Sequence, residues 1–95
     1  MKLRYRARAL ADIEEIHRYL ELRSPSGARN VLQAIHASIH SVADQPYGYE
    51  RTDDPDVRMK VVRRYRYKIF YVIIGNDLIE IVHVRHTSRR PWEPG

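Results

Sequence analysis

Helical periodicity runs from Leu10 to Val42 and is broken once, by the segment Ser24-Pro25-Ser26-Gly27. No other feature limits the fold as much. Leu10, Ile13, Ile16 or His17, and Leu20 recur at helical spacing with Asp12, Glu14, Glu15 and Arg18 between them, the pattern of an amphipathic helix ending near Arg23. Ser24 then suits a helix N-cap, and Pro25 suits the first helical position, where its missing N–H has no helical partner to lose. Ala28, Val31, Leu32, Ile35, Ile39 and Val42 form a second apolar stripe, which Pro46 stops. Two helices on so short a link pack as a hairpin, and their stripes need a common surface to bury against.

The flanking segments supply that surface. The opening KLRYRARA alternates, Leu3, Tyr5 and Ala7 against Lys2, Arg4, Arg6 and Arg8, which is the period of a half-buried strand. Residues 45–56, QPYGYERTDDPD, read as a turn-rich loop. Val57, Met59 and Val61 then alternate with Arg58 and Lys60. The stretch YRYKIFYVII, residues 65–74, alternates in its first half and is apolar on both faces in its second, as a central strand is. Gly75-Asn76-Asp77 supplies a turn, and LIEIVHVRH runs back. The predicted order is β-α-α-β-β-β, an α+β fold with a helical hairpin on one face of a small antiparallel-rich sheet, in a single domain spanning 1–95.

Composition narrows the chemistry. The chain has 95 residues, 43% of them hydrophobic, and no cysteine, so a disulfide framework and a cysteine-ligated zinc site are excluded. No stretch approaches the ~18 apolar residues of a membrane span, and no charged-then-apolar leader opens the chain, so a cytoplasmic protein is expected. Asp53, Asp54 and Asp56 lack the spacing and closing glutamate of a calcium loop, and Pro55 interrupts them. No metal or cofactor is expected. There is no GxSxG elbow, no HExxH and no phosphate-cradling glycine loop, and Glu14 and Glu15, adjacent on a helix, diverge.

Charge is unevenly placed. Residues 1–56 carry eight Lys/Arg against nine Asp/Glu, whereas residues 57–95 carry nine against three. A basic half on a near-neutral half points to phosphate or an acidic protein as partner. Arg58 and Lys60 are two apart on one strand, as are Arg66 and Lys68 on the next, so each pair shares a side. Whether the two pairs share a face depends on register. If they do, Arg85, His86, Arg89 and Arg90 extend the cationic surface, with Tyr65, Tyr67, Tyr71 and Trp92 interleaved as stacking rings or packed in the core. His83, in mid-strand, reads as a structural histidine. His86, at a strand end between Arg85 and Thr87, reads as a functional candidate.

The β-α-α-β-β-β order, the second helix SPSGARNVLQAIHASIHSVADQP, the strand YKIFYVI and the closing IVHVRHTSRRPW together resemble the RelE/ParE superfamily of bacterial toxins, over essentially the whole chain. The resemblance implies a toxin of a type II toxin–antitoxin system, held inactive by a cognate antitoxin that wraps an often acidic segment around it. Operator DNA would be bound only through that antitoxin. RelE-like members cut mRNA on the ribosome with a basic set that falls here on Arg58, Lys60 and Lys68, with His86 as a candidate base. Their arginine after the last strand falls near Thr87, and their near-terminal tyrosine is approximated only by Trp92. ParE-like members instead poison DNA gyrase and need no chemistry of their own. Their last strand ends in a histidine followed after two residues by arginine, which His86-Thr87-Ser88-Arg89 matches. The ParE-like branch is therefore expected, with Arg85, His86, Arg89, Arg90 and Trp92 meeting the target. A nuclease, or a non-catalytic nucleic-acid binder of the same fold, are the alternatives.

Overall fold

The computed structural model of the chain describes residues 1–87, so Arg89, Arg90 and Trp92 lie outside the described residues. Its elements are β1 (Lys2–Tyr5), α1 (Ala7–Glu21), α2 (Pro25–Asp44), β2 (Glu50–Arg51), β3 (Val57–Val62), β4 (Tyr67–Ile74) and β5 (Leu78–His86). The strands form one sheet in the order β1-β5-β4-β3-β2, with β1 parallel to β5 and every other pairing antiparallel. This is the expected α+β architecture, with one strand added: two residues of the turn-rich loop pair with the outer edge of β3.

The helical break works as the sequence indicates. Ser24 is extended, its Oγ accepts the Gly27 N–H at 3.1 Å, and Pro25 opens α2. Ala28, Val31, Ile35, Ile39 and Val42 are buried, on the stripe that the 3.6-residue period marks. Val31, Ile35, Ile39 and Val42 pack with Ile13, Ile16 and Leu20 of α1 against Ile69, Tyr71, Ile79, Ile81 and Val84 of the sheet. At about 2–5 kcal/mol per Ile-to-Ala truncation, this stripe carries much of the stability of so small a domain.

Strand and helix boundaries differ from expectation at the start of β4, which begins at Tyr67 and not Tyr65, and at the junction of β1 and α1. The opening alternation overruns β1. The Arg6 N–H still reaches the Ile81 carbonyl at 3.0 Å, but the Arg6 carbonyl already accepts from Leu10, so Ala7 and Arg8 are helical. The inward stripe of α1 accordingly starts at Ala9 and includes Asp12, while Leu10 is 54% exposed and His17 is also outside.

Because β1 stops at Tyr5, it pairs with β5 only as far as Ile81. The next part of that edge is closed by a side chain: Asp12 Oδ2 accepts the Val84 N–H at 3.1 Å. An uncovered strand edge offers unpaired groups to other chains, and α1 removes some of that exposure. At the same level β5 shifts register against β4, with Phe70 opposite His83 but Tyr71 opposite Ile81, so Val82 is the extra residue of a bulge.

Candidate functional site

Register decides which cations meet. In β3, Arg58 lies opposite Tyr71 and Lys60 opposite Ile69, residues of the helix-side core. Lys68 is paired with Val61 on one side and Arg85 on the other, so it faces away from the helices. The sheet therefore separates Arg58 and Lys60 from Lys68. The face away from the helices is also not bare, since Phe70, Val82 and His83 are all buried. Arg66 is not a strand residue; it ends the β3–β4 turn with φ 60°.

Arg58 and Lys60 are occupied by the loop before them. Arg58 Nη1 donates to the Tyr49 carbonyl at 3.1 Å and the Tyr47 carbonyl at 3.4 Å, with its guanidinium 5.3 Å from the Tyr47 ring centroid. Lys60 Nζ sits 4.5 Å from the Tyr49 ring centroid, within cation–π range. On the same loop, the Tyr71 hydroxyl donates to the Pro46 carbonyl at 2.6 Å, and burial pushes its pKa up to about 12. These contacts tie residues 46–49 to the sheet. The tyrosine partners were missed at the sequence level, although β2–β3 pairing continued by one residue brings Tyr49 opposite Lys60.

His86 lies opposite Tyr67, the rings edge-to-face with centroids 5.2 Å apart. It shares the helix side with Lys60 but stands two strands away, about 10 Å across the sheet. Lys68 and Arg85 point to the other side. A phosphoryl-transfer site needs its cations and base converging on one phosphorus, and these four side chains do not surround a common point.

Two further clusters join distant segments. Arg4 and Arg6 flank Glu80, with Nε to carboxylate distances of 2.8 and 2.5 Å. The hydrogen bond from Arg6 above all, supported by Arg4, holds the Glu80 carboxyl below its usual range against the opposing effect of burial. His83 Nδ1 lies 3.2 Å from Asp12 Oδ2, while Arg8 Nε reaches the other oxygen at 3.2 Å. Burial holds the His83 pKa below its ordinary value although Asp12 pulls the other way. Burial thus favours the neutral ring. No group of three or more potential ligands that could hold a metal ion occurs among the described residues, and no helix there is long and apolar enough to cross a membrane.

A helical hairpin on a sheet whose short first strand runs parallel to the last is also found in known structures. The chain is similar to the chromosomal ParDE TA system from P. aeruginosa at a TM-score of 0.79 and 19% identity, covering 90% of this chain and 95% of that one. It is also similar to the isolated E. coli RelE toxin, at a TM-score of 0.63 and 18% identity, covering 94% and 86% respectively. No curated protein matches. The family model for the ParE toxin of the type II toxin–antitoxin system parDE matches residues 3–91, and the chain belongs to that family.

Proposed function

We propose that this ParE-family toxin acts by inhibiting DNA gyrase in the cytoplasm and is neutralised by a cognate antitoxin, through which alone it recognises operator DNA. The observation that carries the choice of target is the occupation of Arg58 and Lys60. Both are engaged by the 47–49 loop and lie on the opposite side of the sheet from Lys68. A toxin that traps another enzyme needs only a binding surface, so a dispersed basic set costs it nothing. The system named by the P. aeruginosa match supports an antitoxin partner, and a net charge of +5 favours encounter with an acidic one.

The test is a gyrase assay with purified toxin, plasmid and ATP, scoring supercoiling and linear product. Loss of supercoiling with accumulating linear DNA is the expected result, and Arg85→Ala combined with Arg89→Ala and Arg90→Ala should abolish it. A preparation that arrests growth, leaves gyrase untouched and cleaves ribosome-bound transcripts would establish the nuclease reading instead.

A further inference from the structure

Charge is polarised along the strands. β3 runs from Val57 to Val62 and β4 returns from Tyr67 to Ile74, so the β3–β4 turn and the close of β5 share one end of the sheet. Asp53, Asp54 and Asp56, just before β3, and Asp77, in the β4–β5 turn, mark the opposite end, where they outnumber Lys2, Arg51 and Arg58. The first end carries Arg63, Arg64 and Arg66, all exposed, together with half-buried Lys68 and Arg85, which are direct cross-strand partners. Like charges placed opposite one another on a sheet oppose folding. No ion pair among the described residues relieves any of the five, whereas Arg4, Arg6, Arg8 and Arg18 all have carboxylate partners.

A second observation falls at the same end. Arg66 is the one non-glycine described with positive φ, at 60°, a conformation that disfavours a bulky side chain. The turn at the other end of β4 meets the same geometry with Gly75, φ 61°. The Arg66 carbonyl accepts the Thr87 N–H at 2.7 Å, which pins the turn to the end of β5. A charged residue thus holds a strained position that glycine fills elsewhere in the same hairpin system.

We infer that this end of the sheet, Arg63, Arg64, Arg66, Lys68 and Arg85, is a binding surface for the phosphate backbone of duplex DNA. Among the described residues the rings here favour the double-stranded mode: Tyr67 is 9% exposed, and Tyr65 is partly buried against the core with the Arg64 guanidinium 5.4 Å from its ring centroid, whereas stacking of unpaired bases needs open aromatic faces. Cations without open rings hold phosphates and do not read bases. The preference for DNA over duplex RNA rests on the gyrase reading. The aspartates at the far end orient the molecule, basic end first, in the field of the polyanion.

Fluorescence anisotropy of a labelled mixed-sequence duplex of about 25 base pairs, with the purified toxin and no gyrase, tests this. If all five cations engage phosphates, the slope of log affinity against log salt is about −4.5, a loss of roughly 500-fold between about 50 and 200 mM salt. Lys68→Gln with Arg85→Gln should bring the slope to about −2.7. Arg18→Gln with Arg23→Gln, which removes the same charge from α1, should leave it unchanged, with circular-dichroism melts confirming that both variants fold. Equal weakening by the two double variants overturns the assignment, and so does tighter binding of single-stranded DNA, duplex RNA or poly-glutamate. Failure to bind DNA with gyrase inhibition intact removes this surface alone. DNA binding without gyrase inhibition removes the gyrase target and leaves the surface standing.

Discussion

Asp12 Oδ2 lies 3.2 Å from His83 Nδ1 and accepts the Val84 N–H at 3.1 Å, so one buried carboxylate on α1 serves both a ring and a backbone group of β5. Asp12→Ala leaves both donors without that acceptor and should cost about 3 kcal/mol, read as a lower urea midpoint at unchanged m-value. Asp12→Asn keeps an acceptor and should lose less. Equal midpoints for Asp12→Ala and the parent would remove the edge-closing role.

His83 also gives a pH signature. Its folded pKa is held below the unfolded value near 6.5, so the unfolded chain binds the proton first as pH falls. Its contribution is fully present above 6.5 and is lost as pH falls through the folded pKa. Glu80, depressed from 4.5 by Arg6 and Arg4, adds a second loss that begins below 4.5. Melting temperature should therefore drop in two stages on acidification, and His83→Gln should flatten the first alone. An unaltered first stage in that variant would place the titrating group elsewhere.

At the alkaline side Tyr71 takes over. Its pKa is raised to about 12, so its contribution is complete below the unfolded value of 10 and is lost as pH rises toward 12. Tyr71→Phe removes the hydrogen bond to Pro46, leaving that carbonyl without its phenol donor, and should cost about 1–3 kcal/mol. Absorbance titration near 295 nm should show one fewer late-ionising tyrosine in the variant.

Arg58→Ala should behave as a loop-anchor variant. Loss of the contacts to the Tyr47 and Tyr49 carbonyls is expected to cost about 1–2 kcal/mol and to raise proteolysis at residues 46–49. Toxicity should fall only in proportion to folded protein. Complete loss of toxicity at an unchanged melting temperature would return Arg58 to a direct functional role.

What the sequence made legible was local. The Ser24–Pro25 break, the α2 stripe and the strands after Val57 follow from periodicity and capping, which a single segment carries. Leu10 misled because helix phase depends on where α1 begins, and that is set by where β1 stops pairing with β5. The sorting of Arg58 and Lys60 from Lys68 required the β3–β4 register, which alternation leaves free by one residue and hence by one whole face. Asp12 with His83, and Glu80 with Arg4 and Arg6, join residues more than 70 positions apart, and no spacing rule spans that distance.

The pairing of β1 with β5 also has a consequence in time. Arg4 and Glu80 are 76 positions apart, and the partner strand of residues 2–5 is almost the last part of the described chain to be made. During translation the helical hairpin can collapse early, because its contacts are local, but the first strand must wait for its neighbour. The cross-strand approach of Lys68 and Arg85 waits for the same event. A nascent chain still short of residue 78 therefore lacks the finished basic end, and the charged surface comes into being only once β5 has been made.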